Sequence, residues 1–169
     1  MANKYIKLSS GNLTEEEALV TSGGAGDGGK IPALDGAGRL DNSVMPVGIG
    51  ADTKSIQASE NLAAGDFVNV WNDTGTTKVR KADAATNKPV DGFVTAAVTS
   101  GNSATVYFEG TNNQLSSLTG GSVYYLSGST PGGAVATPPS TSGYLVQKVG
   151  KAISATEINF EASDPVALA

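Results

Sequence analysis

An all-β fold is what this sequence predicts: a small antiparallel β-barrel or sandwich, preceded by an extended and mostly irregular N-terminal arm. Three observations carry the prediction. Ile158, Phe160 and Ala162 alternate with Glu157, Asn159 and Glu161, the two-residue period of a strand with one wet face. Short runs rich in Val, Tyr, Phe and Thr recur from about residue 52 onward, with Gly, Asn, Ser and Pro between them. No segment sustains the 3.6-residue apolar period of a long helix. The expected layout is an arm over residues 1–50 and a compact β-domain over residues 51–169.

Within the arm, Tyr5, Ile6 and Leu8 predict one short strand. Thr14-Glu15-Glu16-Glu17 places Thr and Glu three apart, the capping-box spacing, and predicts at most one helical turn running into Ala18, Leu19 and Val20. The glycine-rich run over residues 22–29 reads as a flexible loop, because glycine loses the most backbone entropy on ordering. Next comes Lys30-Ile31-Pro32-Ala33-Leu34-Asp35-Gly36-Ala37-Gly38-Arg39-Leu40-Asp41, with a proline that cannot donate a hydrogen bond and two turn-forming pairs. Ile31, Leu34, Leu40, Val44, Met45 and Val47 are too sparse to bury one another. They require a surface supplied by the domain, a sister subunit or a partner.

In the β-domain, Phe67 to Trp71 reads as a strand leading into the turn Asn72-Asp73-Thr74-Gly75, with Thr77 to Lys81 as its hairpin partner. Further strands are expected over 92–98, 104–109, 122–126, 144–153 and 156–162, with a short helical turn at Ala82 to Ala85. Roughly 110 residues suffice for a small single core of this kind.

Composition excludes most chemistry. Gly, Ala, Ser and Thr supply 77 of the 169 residues, and there is no histidine and no cysteine. Those absences remove Ser/His and Cys/His nucleophile pairs, disulfides and nearly every zinc or copper site. Net charge is −5, with Arg39 and Arg80 the sole arginines, so the clustered positive charge that releases counterions from nucleic acid is missing. No stretch has signal-peptide or membrane-span character, and a soluble protein made in the cytosol is expected. The expectation is a non-enzyme without cofactor or metal, binding neither nucleic acid nor membrane.

Several motifs imitate sites. Gly24-Ala25-Gly26-Asp27-Gly28-Gly29-Lys30 satisfies a GxGxxG count and the GxxxxGK portion of a phosphate loop. A phosphate loop also needs Ser or Thr after the lysine and a helix beyond it, and Ile31-Pro32 follows instead. Glu109, Glu157 and Glu161 are the carboxylates nearest to a glycosidase-like pair, but the pattern reads as a solvated strand face. Asp35 to Asp41 lacks the alternating oxygen ligands of a calcium loop. Trp71, Tyr107, Tyr124, Tyr125 and Tyr144 read chiefly as packing residues, with a sugar-stacking or protein-binding face as the alternative.

The segment Gly28-Gly29-Lys30-Ile31-Pro32-Ala33-Leu34-Asp35-Gly36-Ala37-Gly38-Arg39-Leu40-Asp41, continued by Val44-Met45-Pro46, resembles the G-K-I-P-x-L-D-x-x-G-x-L-D segment recurrent in tailed-phage virion proteins. Gly65-Asp66-Phe67-Val68, Val123 to Gly133 and Val146 to Ile158 are similar to small β-modules of phage head-decoration and fibre proteins. The resemblance to the capsid decoration (cement) family implies a non-enzymatic structural protein of the virion. Such a protein binds the outer capsid surface, with the major capsid protein as partner and a homotrimer as its own assembly. A tail or head fibre module for host attachment is the alternative, and a carboxylate-dependent hydrolase a distant third. Tyr5, Ile6, Leu8, Ile31, Pro32, Leu34, Leu40, Val44 and Met45 are the expected contact residues.

Overall fold

In the computed structural model, which describes residues 3–45 and 52–169, the chain divides into two compact units, Met1–Gly50 and Ala51–Ala169. Pro46 and Val47 lie outside the described residues.

The first unit opens with a hairpin. Strand β1 (Lys4–Ser9) pairs antiparallel with β2 (Asn12–Glu17), in the register Lys4 to Glu17, Ile6 to Glu15 and Leu8 to Leu13. Ser10 and Gly11 connect them with φ of 50° and 83°, the two positive values that a type I′ turn requires. This corrects the helical turn expected from Thr14-Glu15-Glu16-Glu17. The chain reverses just before that segment, and ion pairs across the ladder engage its glutamates: Lys4 with Glu15 at 2.5 Å and Lys7 with Glu16 at 3.1 Å.

Beyond β2 the chain is less irregular than expected. Leu19 lies parallel to Pro32, donating to Ile31 O at 2.9 Å and accepting from the Ala33 N–H at 2.7 Å. The glycine-rich run contains a 3-10 turn at Ala25–Asp27. The Asp27 carboxylate clips that turn by accepting from the Gly23 N–H at 2.6 Å and pairing with Lys30 at 3.1 Å. A run expected to be flexible is thus closed by its one acid.

The second unit is all-β. A closed barrel is made by β3 (Thr53–Ala58), β4 (Phe67–Asp73), β5 (Thr76–Lys81), β6 (Gly92–Val94) and β7 (Ser103–Tyr107), in the order β3-β5-β4-β6-β7. All its pairings are antiparallel except β3 with β5, which departs from the expected purely antiparallel arrangement. The chain continues through β8 (Gly110–Asn112), β9 (Val123–Leu126), β10 (Ala134–Val135), β11 (Leu145–Val146), β12 (Lys148–Ala152), β13 (Ile158–Phe160) and β14 (Val166–Ala167). Five of these form a sheet ordered β10-β9-β12-β13-β8, and β11 pairs with β14. The fold is therefore a barrel joined to a second sheet.

Two cores result where one was expected. Val68, Val79, Val94 and Val106 fill the barrel. Their neighbours Phe67 and Phe93 point the other way, into a second cluster with Leu126, Val149, Ile158 and Phe160 from the sheet. Because side chains alternate along a strand, β4 and β6 bury both faces and serve both cores. Phe93 stands edge-on to Phe160 at 5.5 Å and stacks on Tyr107 at 5.4 Å.

Candidate interaction site

The family-like segment 30–45 owes its shape to two aspartates. Asp35 Oδ1 accepts from the Ala37 N–H at 2.8 Å and the Arg39 N–H at 2.9 Å, while the Asp35 N–H donates to Arg39 O at 2.8 Å. Gly38, with φ of 75°, occupies the left-handed region that this closed loop needs. Asp41 then caps the 3-10 turn Asn42–Val44 by accepting from the Ser43 N–H at 2.9 Å. Hydrogen bonding holds the three aspartates of this unit below their ordinary pKa: Asp35 through the Arg39 and Ala37 amides, Asp41 through Ser43, and Asp27 through the Gly23 amide and Lys30. The D-x-x-G-x-L-D spacing is thus a loop-closing device, with each carboxylate committed to backbone donors.

That loop turns its apolar residues outward. Ile31, Leu34 and Leu40 are 51, 55 and 45% exposed. Pro32, Val44 and Met45 instead join Leu19 as the apolar wall of a hollow of about 360 Å³, with Asp27, Ser22 and Ser43 at its polar rim. The Ser22 N–H bonds Ser43 Oγ at 2.8 Å, tying the two sides of the rim.

The hairpin presents a second apolar face. Ile6 and Leu8 are 64 and 68% exposed and lie on one side of the ladder. Leu13, which sequence reasoning missed, lies opposite Leu8 and is 76% exposed. Its signal was available: it stands two residues past the Ser10-Gly11 turn, the cross-strand position of Leu8. Tyr5 falls on the opposite side, half-buried. The structure therefore sorts the nine expected contact residues into a hairpin face (Ile6, Leu8), an exposed loop crest (Ile31, Leu34, Leu40), a hollow (Pro32, Val44, Met45) and Tyr5 apart.

In the second unit, Trp71, Tyr107, Tyr124, Tyr125 and Tyr144 do not make one platform. Tyr124 is buried and its hydroxyl accepts from the Thr119 N–H at 2.9 Å. Tyr107 stacks on Phe93, and Trp71 lies beneath the Arg80 guanidinium at 4.4 Å. Tyr124 and Tyr144 do border an open groove of about 710 Å³, where Ser117, Ser129, Thr137 and Thr141 alternate with small apolar residues such as Ala134, Val135 and Pro139, a lining without a charge. Of the carboxylates, Glu161 pairs with Lys148 at 3.0 Å and Glu157 accepts from Ser154 Oγ at 3.2 Å. Among the described residues, no three acids converge in a metal-holding group, and no helix is long and apolar enough to cross a membrane. No family model, curated protein or solved structure matches the chain.

Proposed function

We propose that the protein is a non-enzymatic structural component of a tailed-phage virion, which binds the outer surface of the capsid lattice and reinforces it. One observation carries the reading. The segment that resembles phage virion proteins is a loop pinned by Asp35 and Asp41, yet it holds Ile31, Leu34 and Leu40 out to solvent. A pre-shaped loop loses little further entropy on docking, so apolar burial converts to affinity more fully than in a loose arm. Each of these side chains is roughly half exposed, and full burial of such a chain is worth about 1.5–3 kcal/mol. Docking of all three therefore contributes roughly 2–4 kcal/mol per subunit. Attachment through several subunits at once multiplies this by effective concentration.

The test uses capsids assembled without the protein. Full-length wild type is expected to occupy them at a copy number comparable to the major capsid protein, measured by quantitative mass spectrometry. Leu34→Asp with Leu40→Asp should reduce occupancy at least tenfold while leaving the β-domain folded. Undiminished occupancy would remove the loop from attachment.

The groove beside Tyr124 and Tyr144 favours a second reading, a head or tail fibre module whose β-domain engages a host-surface glycan. Aromatic faces with hydroxyls suit a neutral sugar ring. A handful of copies per virion, together with saturable binding of the protein to host polysaccharide, would put this reading first.

A further inference from the structure

The hairpin formed by β1 and β2 is incomplete as it stands. A two-stranded sheet is at best marginally stable in water alone, and this one leaves Ile6, Leu8 and Leu13 exposed at the turn end of one face, with Lys4, Glu15 and Glu17 at the other end of the same face. Among the described residues, both of its strands are edges. The Ala18 N–H donates to Asn3 O at 2.9 Å, so the next pair inward, Lys4 with Glu17, is a non-bonded pair of the ladder. The alternation makes Ile6–Glu15 and Leu8–Leu13 non-bonded pairs as well. The backbone N–H and C=O groups of Lys4, Ile6 and Leu8 therefore point away from β2, and those of Leu13, Glu15 and Glu17 point away from β1. Natural sheets rarely leave such an edge beside an apolar face unless it is paired.

Charge selects the partner. Strand β1 carries Lys4 and Lys7 and no acid, whereas β2 carries Glu15, Glu16 and Glu17 and no base. Two β1 edges together, or two β2 edges together, would set like charges side by side. The edge of β1 against the edge of β2 repeats the complementarity already seen within the hairpin, where Lys4 meets Glu15 and Lys7 meets Glu16.

We infer that the hairpin is a self-assembly element in which β1 of one copy pairs with β2 of the next, head to tail. The copies close into a ring of strands whose inner face carries Ile6, Leu8 and Leu13 of every copy at the turn end and the Lys4, Glu15 and Glu17 charges, paired between neighbours, at the open end. A head-to-tail contact repeated by rotation closes into a ring and leaves no edge exposed. Rotation about an axis along the strands keeps every neighbouring pair antiparallel and brings each Lys4 to the Glu15–Glu17 end of the adjoining β2. This inference assigns Ile6 and Leu8 to contacts between copies and leaves Ile31, Leu34 and Leu40 for another surface. It stands on the hairpin alone. Capsid occupancy tests the proposed function, and mass in solution tests this.

The experiment measures the mass of the full-length protein at micromolar concentration by light scattering and native mass spectrometry. Wild type is expected to be a closed oligomer. Ile6→Pro removes an outward N–H of β1 without touching the inner ladder, and Glu15→Pro does the same for β2. Each variant alone should be monomeric, and an equal mixture should yield a species of two chains, one of each kind. A second variant guards against simple loss of the hairpin. Exchanging the charges (Lys4→Glu, Lys7→Glu, Glu15→Lys, Glu16→Lys, Glu17→Lys) keeps the pairs within each hairpin. Head-to-tail pairing then predicts that the exchanged protein assembles with itself but excludes wild type. A monomeric wild type would overturn the inference. So would wild-type mass in either proline variant alone, or free mixing of exchanged and wild-type subunits, which is the mark of like-strand pairing.

Discussion

The Gln147 side chain ties buried Val90 and the Ser163 carbonyl to the β11–β12 region through three hydrogen bonds, and replacing it with leucine tests what they contribute. Gln147 is 3% exposed and sits between β11 and β12. Its Oε1 accepts from the Val90 N–H at 2.7 Å, and its Nε2 donates to Val90 O at 3.1 Å and Ser163 O at 2.9 Å. One side chain thus pairs both backbone groups of buried Val90, 57 residues away, as a strand neighbour would. Leucine has nearly the same volume and no polar atom. Ser163 is exposed, so water can take its carbonyl. The Val90 N–H and C=O are buried and would lose their partner, at about 1–3 kcal/mol each. Burial of the isobutyl group offsets about 1–2 kcal/mol of this, leaving a net loss of about 2–3 kcal/mol. Urea unfolding followed by the fluorescence of Trp71, the single tryptophan, reads the change. With a slope of about 1–3 kcal/mol per molar, the midpoint should fall by roughly 0.7–3 M. A shift below about 0.3 M would refute the reasoning, since it would mean that Val90 finds other partners at no cost. Gln147→Glu at pH 7 sets a carboxylate against two carbonyls and should lose at least as much.

Three further outcomes are expected. Gly92→Ala would place a Cβ 2.5 Å from Tyr107 O and 2.9 Å from Val106 Cγ1, so β6 and β7 must separate; a loss of about 1–3 kcal/mol is expected, and a neutral effect in urea unfolding would contradict the close approach. Asp27, Asp35 and Asp41 all have folded pKa values lowered from 3.8, so their contribution to the first unit is complete above that value and fades as pH falls through the lowered ones. The amide shifts of Gly23, Arg39 and Ser43 should accordingly titrate with midpoints below 3.8; midpoints above it would remove these carboxylates as loop clips. Arg80→Ala removes both the guanidinium over Trp71 and its 2.9 Å bond to the buried Asn69, so a loss of about 1–2 kcal/mol and a shifted Trp71 emission are expected, with unchanged emission counting against the stacked geometry.

Strand content was legible where local pattern and local packing coincide. Phe67–Asp73 with Thr76–Lys81 was readable because the hairpin turn is encoded in place, at Thr74 and Gly75 with φ of 51° and 94°. Ile158–Phe160 was readable because one of its faces is wet. Thr14–Glu17 has the capping-box spacing but forms a strand, because the Ser10-Gly11 turn just before it folds the segment back onto Lys4–Ser9. Strands β8, β10 and β14 are two or three residues long, too short to show a period, and their pairing is decided by neighbours far along the chain. At the candidate site, the exposed apolar residues of 31–40 were legible as residues without a local home. The roles of Asp35 and Asp41 were not, because a carboxylate serving backbone donors looks in sequence like any loop acid.

Taken alone, the sequence determined the all-β class, the absence of thiol and imidazole side chains, and a run of N-terminal apolar residues too sparse to bury one another. Each of these is a property of residue type or of spacing within a few positions. Tertiary structure alone decided that the second unit has two cores, that β3 and β5 run parallel, and that Gln147 stands in for a strand. It alone set Leu13 beside Leu8 on an open face. Those facts depend on which distant segments share a ladder, and a period of two reads the same whichever neighbour completes it.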